Sequence, residues 1–328
     1  RNISLSGGLV GVFHSSAGYR ESHDRATVVG RGDLVFNFKI TDSTIAVIDV
    51  EATGGDGIDS HIASFSGLNG VAGSTGDRVR FRQAFLEHSM LDDRLIATIG
   101  KVDLTSYFDN NTVANDENSQ FLAGAFVNSH ILSAPDIGPG VRVHARLSDS
   151  LVFGIGYGSG DGSGNDIATH GFGIAELDAK IKIGDLEGNY RIYGAADGAL
   201  PDGETKLSRK NAYNAGISID QQLTDKLTLF GRFGQRERNV YLTSRSWSTG
   251  FQYAGLLPGR SDDVFGAAYG QISGKGLQSQ EKLIEAYYSI KLHDKINVAP
   301  LFQYLINPMG IRDAKEVTLL GIRSQITF

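Results

Sequence analysis

Residues 173–192 read GIAELDAKIKIGDLEGNYRI, and the alternation inside them decides the fold. Ala175, Leu177, Ala179, Ile181 and Ile183 fall on one parity, against Glu176, Asp178, Lys180 and Lys182 on the other. After Gly184-Asp185 the rhythm resumes, with Leu186, Tyr190 and Ile192 opposite Glu187, Asn189 and Arg191. Side chains of an extended chain point alternately to opposite faces, so period two predicts strands, where a helix would need period 3.6. The stretch LVFNFKI at 34–40 repeats the pattern, setting Leu34, Phe36, Phe38 and Ile40 against Asp33, Val35, Asn37 and Lys39. A whole face of charges, recurring from strand to strand, requires water on that side.

Working outward, the connections alternate in length. Short turns with Asp, Asn or Ser chemistry fall at Thr41-Asp42, Asp92-Asp93, Ser148-Asp149, Gly184-Asp185, Thr224-Asp225 and His293-Asp294, with a longer one at Leu257–Ser261. Between them lie polar loops at 14–25, 54–77, 104–138, 160–170, 198–208, 235–244, 274–280 and 307–314. This scheme predicts 16 strands of about 10 residues each, the length a tilted strand needs to cross a bilayer. An even number of strands with short turns on one side and long loops on the other is the pattern of a bacterial outer-membrane barrel. A soluble sandwich has no reason to sort its loops this way. The expectation is therefore one all-β domain over 1–328: a 16-stranded antiparallel transmembrane barrel, multi-pass, with external loops and both termini periplasmic.

Composition agrees. Hydrophobic residues make up 41% of the chain and mean hydropathy is -0.15. A barrel averages lipid-facing and lumen-facing positions, so near-neutral hydropathy and the lack of a long apolar run leave this reading intact. Cysteine is absent, which removes disulfides, thiolate zinc sites and c-type haem attachment, and suits passage through an oxidising compartment. A net charge of -6 argues against nucleic acid as a partner. The chain starts at Arg1 and runs straight into an alternating segment, as a processed mature chain or a trimmed one would. At its other end EVTLLGIRSQITF (316–328) alternates and closes on Phe328, similar to the terminal signature read by barrel-assembly machinery. Trp247, Tyr253, Phe302 and Tyr304 fit interfacial aromatic girdles as well as ordinary strand propensity.

The most distinctive segment is GKVDLTSYFDNNTVANDENSQFLAGAFVN at 100–128. On Gly100, Lys101, Tyr107, Phe108, Asp109, Asn111, Ala114, Asp116, Glu117, Gln120, Phe121, Leu122 and Asn128 it resembles the carbohydrate-selective, OprB-like porin family. The block covers under a tenth of the chain; elsewhere the likeness is one of strand rhythm. The resemblance implies an outer-membrane porin for passive, weakly selective diffusion of small polar solutes, sugars foremost. Its expected surroundings are outer-membrane lipid and lipopolysaccharide. A homotrimer is left open, because nothing separates a protein-facing apolar strand from a lipid-facing one.

Loop 104–138 is the longest and follows the fifth strand, where porin barrels commonly fold a loop inward as a constriction. Asn115 or Asp116 is expected to cap a short helix whose apolar stripe is Phe121, Leu122, Ala125 and Phe126. Asp116, Glu117 and Gln120 then either anchor the loop or touch solute. Arg78, Arg80 and Arg82 share a parity opposite Val79, Phe81 and Phe85, and Arg142, His144 and Arg146 stand opposite Val141, Val143 and Ala145. Arg191, Arg232 and Arg323 are expected in the lumen too, with Asp49, Glu51, Glu176, Asp178 and Glu285 as acidic counterparts. Such a mixture can hydrogen-bond sugar hydroxyls one after another, with Tyr107, Phe108 and Asp109 nearby. Equally, the charges can pair with one another, and an arginine ladder can favour anionic sugars.

Other features are weaker. Asp161-Gly-Ser-Gly-Asn165-Asp166 has calcium-friendly oxygens but lacks EF-hand spacing, and reads as a solvated loop. Gly154, Gly156 and Gly158 lie in a strand and suggest close packing. Ser-His neighbours such as His14-Ser15 and His88-Ser89 are expected by chance, so no enzyme, cofactor or metal is expected. The competing function is a partner-filled, non-conducting barrel or surface-interaction protein.

Overall fold

The computed structural model describes residues 2–18, 24–72, 76–201 and 206–328. Arg1 and the parts of the expected loops at 19–23, 73–75 and 202–205 lie outside them. The first strands are β1 (Ile3–Ala17), β2 (Ala26–Lys39), β3 (Thr44–Gly54), β4 (Arg78–Met90), β5 (Leu95–Val102), β6 (Gly138–Ser148), β7 (Leu151–Ser159) and β8 (Gly171–Ile183). They continue as β9 (Leu186–Asp197), β10 (Ala212–Gln222), β11 (Leu227–Arg236) and β12 (Arg245–Ala254). The last four are β13 (Val264–Ser273), β14 (Glu281–His293), β15 (Ile296–Ile306) and β16 (Val317–Thr327). Each strand pairs antiparallel with its sequence neighbours, and β16 pairs with β1, so the sheet closes into a barrel. Closure leaves no sheet edge, which a spanning sheet requires because lipid offers backbone groups no partner.

Short turns gather on one rim and long loops on the other, with boundaries within a few residues of those read from the pattern. Gly184 shows why the turns are tight: its φ of +64° is costly for residues with a Cβ, and Asp185 completes the reversal into β9.

The two faces are opposite to those of a soluble protein. Val28, Val79, Phe81, Ile99, Ile192 and Leu320 are each more than half exposed, while Asp49, Glu51, Arg142, Glu176, Arg191, Arg232 and Arg323 are buried on the inner face. Trp247 on β12 packs at a tilt against Tyr269 on β13, ring centroids 5.2 Å apart. Among the described residues no helix is long and apolar enough to cross a membrane.

Among the described residues the register shifts in three strand pairs, twice beside the short turns after β6 and β14 and once within the wall. In the β3–β4 pair Val50 faces Phe81 while Asp49 faces Gln83, so Arg82 is an extra residue and the parity of β4 changes there. Phe85 is therefore not on the outer face with Val79 and Phe81. It lies opposite the buried Val47 and packs on the cluster of Val102, Leu104 and Phe108.

Candidate functional site: the lumen and its inward loops

Loop 103–137 has no strand partner for its backbone, and a buried N–H or C=O left unpaired is costly. Inward side chains of the barrel wall supply the missing partners. Glu285 of β14 accepts from the N–H groups of Leu122 and Ala123, Glu176 of β8 from Asp109 at 2.7 Å, and Asp220 of β10 from Thr112 at 3.3 Å. Arginines serve the carbonyls. Arg323 of β16 donates to Glu117 O at 2.8 Å and Gln120 O at 2.7 Å; Arg232 of β11 donates to Phe126 O at 2.7 Å and Asp109 O at 2.8 Å. The Asp109 carboxylate pairs with Arg232 at 3.2 Å and accepts from Ser129 N–H at 2.6 Å; burial holds its carboxyl above the ordinary aspartate range.

Apolar contact reinforces the clamp. Phe121, Leu122 and Phe126 are buried with Phe230, Leu283, Tyr287 and Leu301 of the wall. Phe121 meets Tyr287 edge-on, centroids 5.2 Å apart, and Phe126 and Phe230 each at 5.5 Å. Large side chains so buried contribute about 1.5–3 kcal/mol each. On the other side of the loop, Phe108 lies across β7, where a Cβ at Gly156 would come within 2.7 Å of its ring and one at Gly154 within 3.0 Å. The strand glycines are the seat of that ring.

The expected helix is shorter and starts later. α1 spans only Gly124–Val127, and its N-cap, Ala123, offers no side-chain cap. Asp116 instead holds a turn, accepting from Asn118 N–H at 3.0 Å, with Asn115 outside any helix. Glu285 takes the N–H groups of Leu122 and Ala123, which keeps this stretch extended and delays the helix.

A second loop segment, 55–72, also enters the barrel, and the alternation gave no sign of it. Glu281 of β14 accepts from Phe65 N–H at 3.0 Å and Ser66 N–H at 2.8 Å, and Gln303 of β15 donates to Leu68 O at 2.9 Å. Asp59 closes the loop on itself, accepting from Leu68 and Asn69 N–H groups at 2.7 and 2.9 Å; burial pushes its carboxyl up to about 6 despite those donors. The two loops bind each other through Gly124 N–H to Gly67 O at 2.7 Å and Gly70 N–H to Leu122 O at 2.9 Å. The available signal was Ile58, Ile62, Phe65, Leu68 and Val71, all buried although they stand in a loop.

Against the wall of β2–β4 the loops leave room. A gap of about 200 Å³ lies between Arg31, Arg82 and Asp103 on one side and Asn115–Asn118 with Asn128 on the other. Of the β4 ladder, Arg82 lines it. Arg80 lies 2.7 Å from Glu51 and Arg78 3.7 Å from it, while Arg82 reaches Asp103 at 3.2 Å and both Asp49 and Glu51 at 3.6 Å. Glu117 pairs with Arg31 at 2.9 Å, and Gln120 accepts from the Asn115 and Asp116 N–H groups at 2.7 and 3.1 Å. Asp116, Glu117 and Gln120 thus anchor the loop, the first two beside the gap.

A neighbouring cavity of about 160 Å³ brings together Tyr107, Arg142, His144, Asp178 and Arg191. Arg142 sits 3.9 Å over the Tyr107 ring and 3.4 Å from Glu87. Phe108, which lines the same cavity, and Asp109 are buried, at 1% and 0% exposure. Arg146 stands apart, near Arg94 and Asp92 at the turn rim. Asp161 is satisfied within its own loop by Ser159 and Ser163, whose hydrogen bonds hold it down at about 2. Among the described residues no three metal-ligating side chains come together.

Comparison with known proteins gives this lumen a family. An uncharacterized protein of Aquifex aeolicus is 27% identical over 224 residues, which cover 68% of this chain and 62% of that one. Porin AaxA of Chlamydia abortus is 23% identical over 288 residues, 79% of this chain and 60% of its own. The chain thus spans about three-fifths of the length of these curated relatives. The high-pH structure of Pseudomonas putida OprB superposes with a TM-score of 0.87 at 16% identity, covering 100% of this chain and 94% of that one. A Rhodopseudomonas blastica porin follows at 0.61 and 14%, covering 99% and 100%; at such identities the likeness is one of fold. Residues 23–328 match the model of the carbohydrate-selective porins, so the chain belongs to the OprB family of outer-membrane β-barrels.

Proposed function

We propose that the protein is a channel for passive, weakly selective diffusion of small polar solutes, carbohydrates foremost. The observation that supports this best is the gap between the β2–β4 wall and the clamped loop, edged by guanidinium, carboxylate and amide groups. Sugars present hydroxyls that donate and accept, and a rim of both kinds exchanges with them one contact at a time. Contacts that are individually weak suit a passage the solute must also leave. Loop 103–137 is the constriction, and no catalytic role is assigned to the lumen. The apolar outer band faces lipid and lipopolysaccharide, the turn rim and both termini face the periplasm, and β16 with Phe328 serves recognition by the assembly machinery. Single-channel recording in a planar bilayer with added sugars tests the reading. Stepwise conductance that neutral sugars block supports it; a folded barrel that stays silent favours a partner-filled structural role.

A further inference from the structure

The charges around the gap do not balance, and the imbalance has the opposite sign to an arginine ladder read alone. Four guanidinium groups project into this sector, from Arg31, Arg78, Arg80 and Arg82. Six carboxylates meet them: Asp33, Asp49, Glu51, Asp103, Asp116 and Glu117. Arg31 is buried between Asp33 at 3.1 Å and Glu117 at 2.9 Å, and Glu51 alone lies within 4 Å of Arg78, Arg80 and Arg82. These arginines are neutralised where they stand, and two negative charges are left over.

Charges elsewhere on the wall are largely matched in place. Arg232 closes on Asp109 at 3.2 Å, Arg191 on Asp220 at 2.8 Å and Arg142 on Glu87 at 3.4 Å. The loop rim continues the negative trend. A depression of about 430 Å³ there is lined by Asp136, Asp161 and Asp166, while its Lys206 lies 3.4 Å from Asp197 and its Arg236 stacks 4.1 Å over Tyr241. Among the described residues those three aspartates form no ion pair.

We infer that the channel prefers cations, so that small hydroxylated solutes carrying an amine pass more readily than neutral ones, and carboxylated ones least. The inference rests on the proposed channel reading and adds the charge class of the solute. Low-dielectric walls focus the surplus onto the water path, where ions passing within the screening length of about 8 Å at physiological salt feel it.

The test is the zero-current potential of the whole barrel in a planar bilayer under a tenfold KCl gradient. A sign reporting potassium permeation, with a permeability ratio over chloride of about threefold or more, is expected. Liposome swelling should then rank glucosamine above glucose and glucose above gluconate. Arg78→Gln, at a partly exposed position, should raise the ratio by about twofold. Conduction with equal or anion-favouring permeability overturns the inference and leaves the channel reading standing. Complete silence removes both.

Discussion

Arg232 and Arg323 differ from Arg78, Arg80 and Arg82 in what they do, although all five sit on inward parity. The first two are buried and spend their N–H groups on loop carbonyls. The ladder arginines keep part of their surface and pair with Glu51 on the neighbouring strand and with Asp103 beside the gap. The difference follows from what each finds opposite. Where a loop backbone needs partners, a guanidinium becomes structural; where the lumen stays open, it keeps contact with water.

Breaking the clamp should produce the largest effect. Arg232→Ala leaves the Asp109 carboxylate buried and unpaired and frees two carbonyls, a loss of about 3–5 kcal/mol. It should appear as a lower midpoint in denaturant unfolding in detergent, and adding Asp109→Asn should restore part of it. Glu285→Ala removes the acceptor for two buried N–H groups, worth about 2–3 kcal/mol, and should make single-channel current noisier and larger as the loop tip loosens.

Asp59 gives a pH-dependent effect. Its folded carboxyl holds a proton up to about 6, whereas the unfolded one releases it near about 4. Stability from this group is therefore fullest below about pH 4, falls as pH rises between about 4 and 6, and stays lower above. The difference between wild type and Asp59→Asn should change by about 2–3 kcal/mol over that window, read by amide exchange at Leu68 and Asn69. The smallest stability effect belongs to the ladder. Arg80→Ala leaves Glu51 with Arg78 and Arg82 still beside it and should cost only about 1 kcal/mol, yet alter conductance measurably. A large unfolding shift there would erase the distinction between clamp and ladder.

Most of the barrel was legible because a membrane strand writes both faces into its sequence, as in residues 173–192. The extra residue at Arg82 was not, since a bulge changes parity without changing composition, and Phe85 was misplaced as a result. The lumen was legible as a list of inward charges but not as a map. Parity says that Arg232 and Arg78 point inward and is silent on whether a loop reaches them. Loop segment 55–72 went unread for the same reason: Ile58, Ile62 and Phe65 look like stray apolar residues until Glu281 and the tip of the other loop are seen to hold that segment. Phe108 and Asp109 were legible as a motif, but their partners, Gly156 and Arg232, were not, because these lie far along the chain.

The central claim is that loop 103–137, held by the wall, sets the passage. Its most direct test is single-channel conductance after residues 113–122 are replaced by a short Gly-Ser link. The account predicts a severalfold larger conductance with sugar block lost. An unchanged conductance, with the barrel folded, would contradict it.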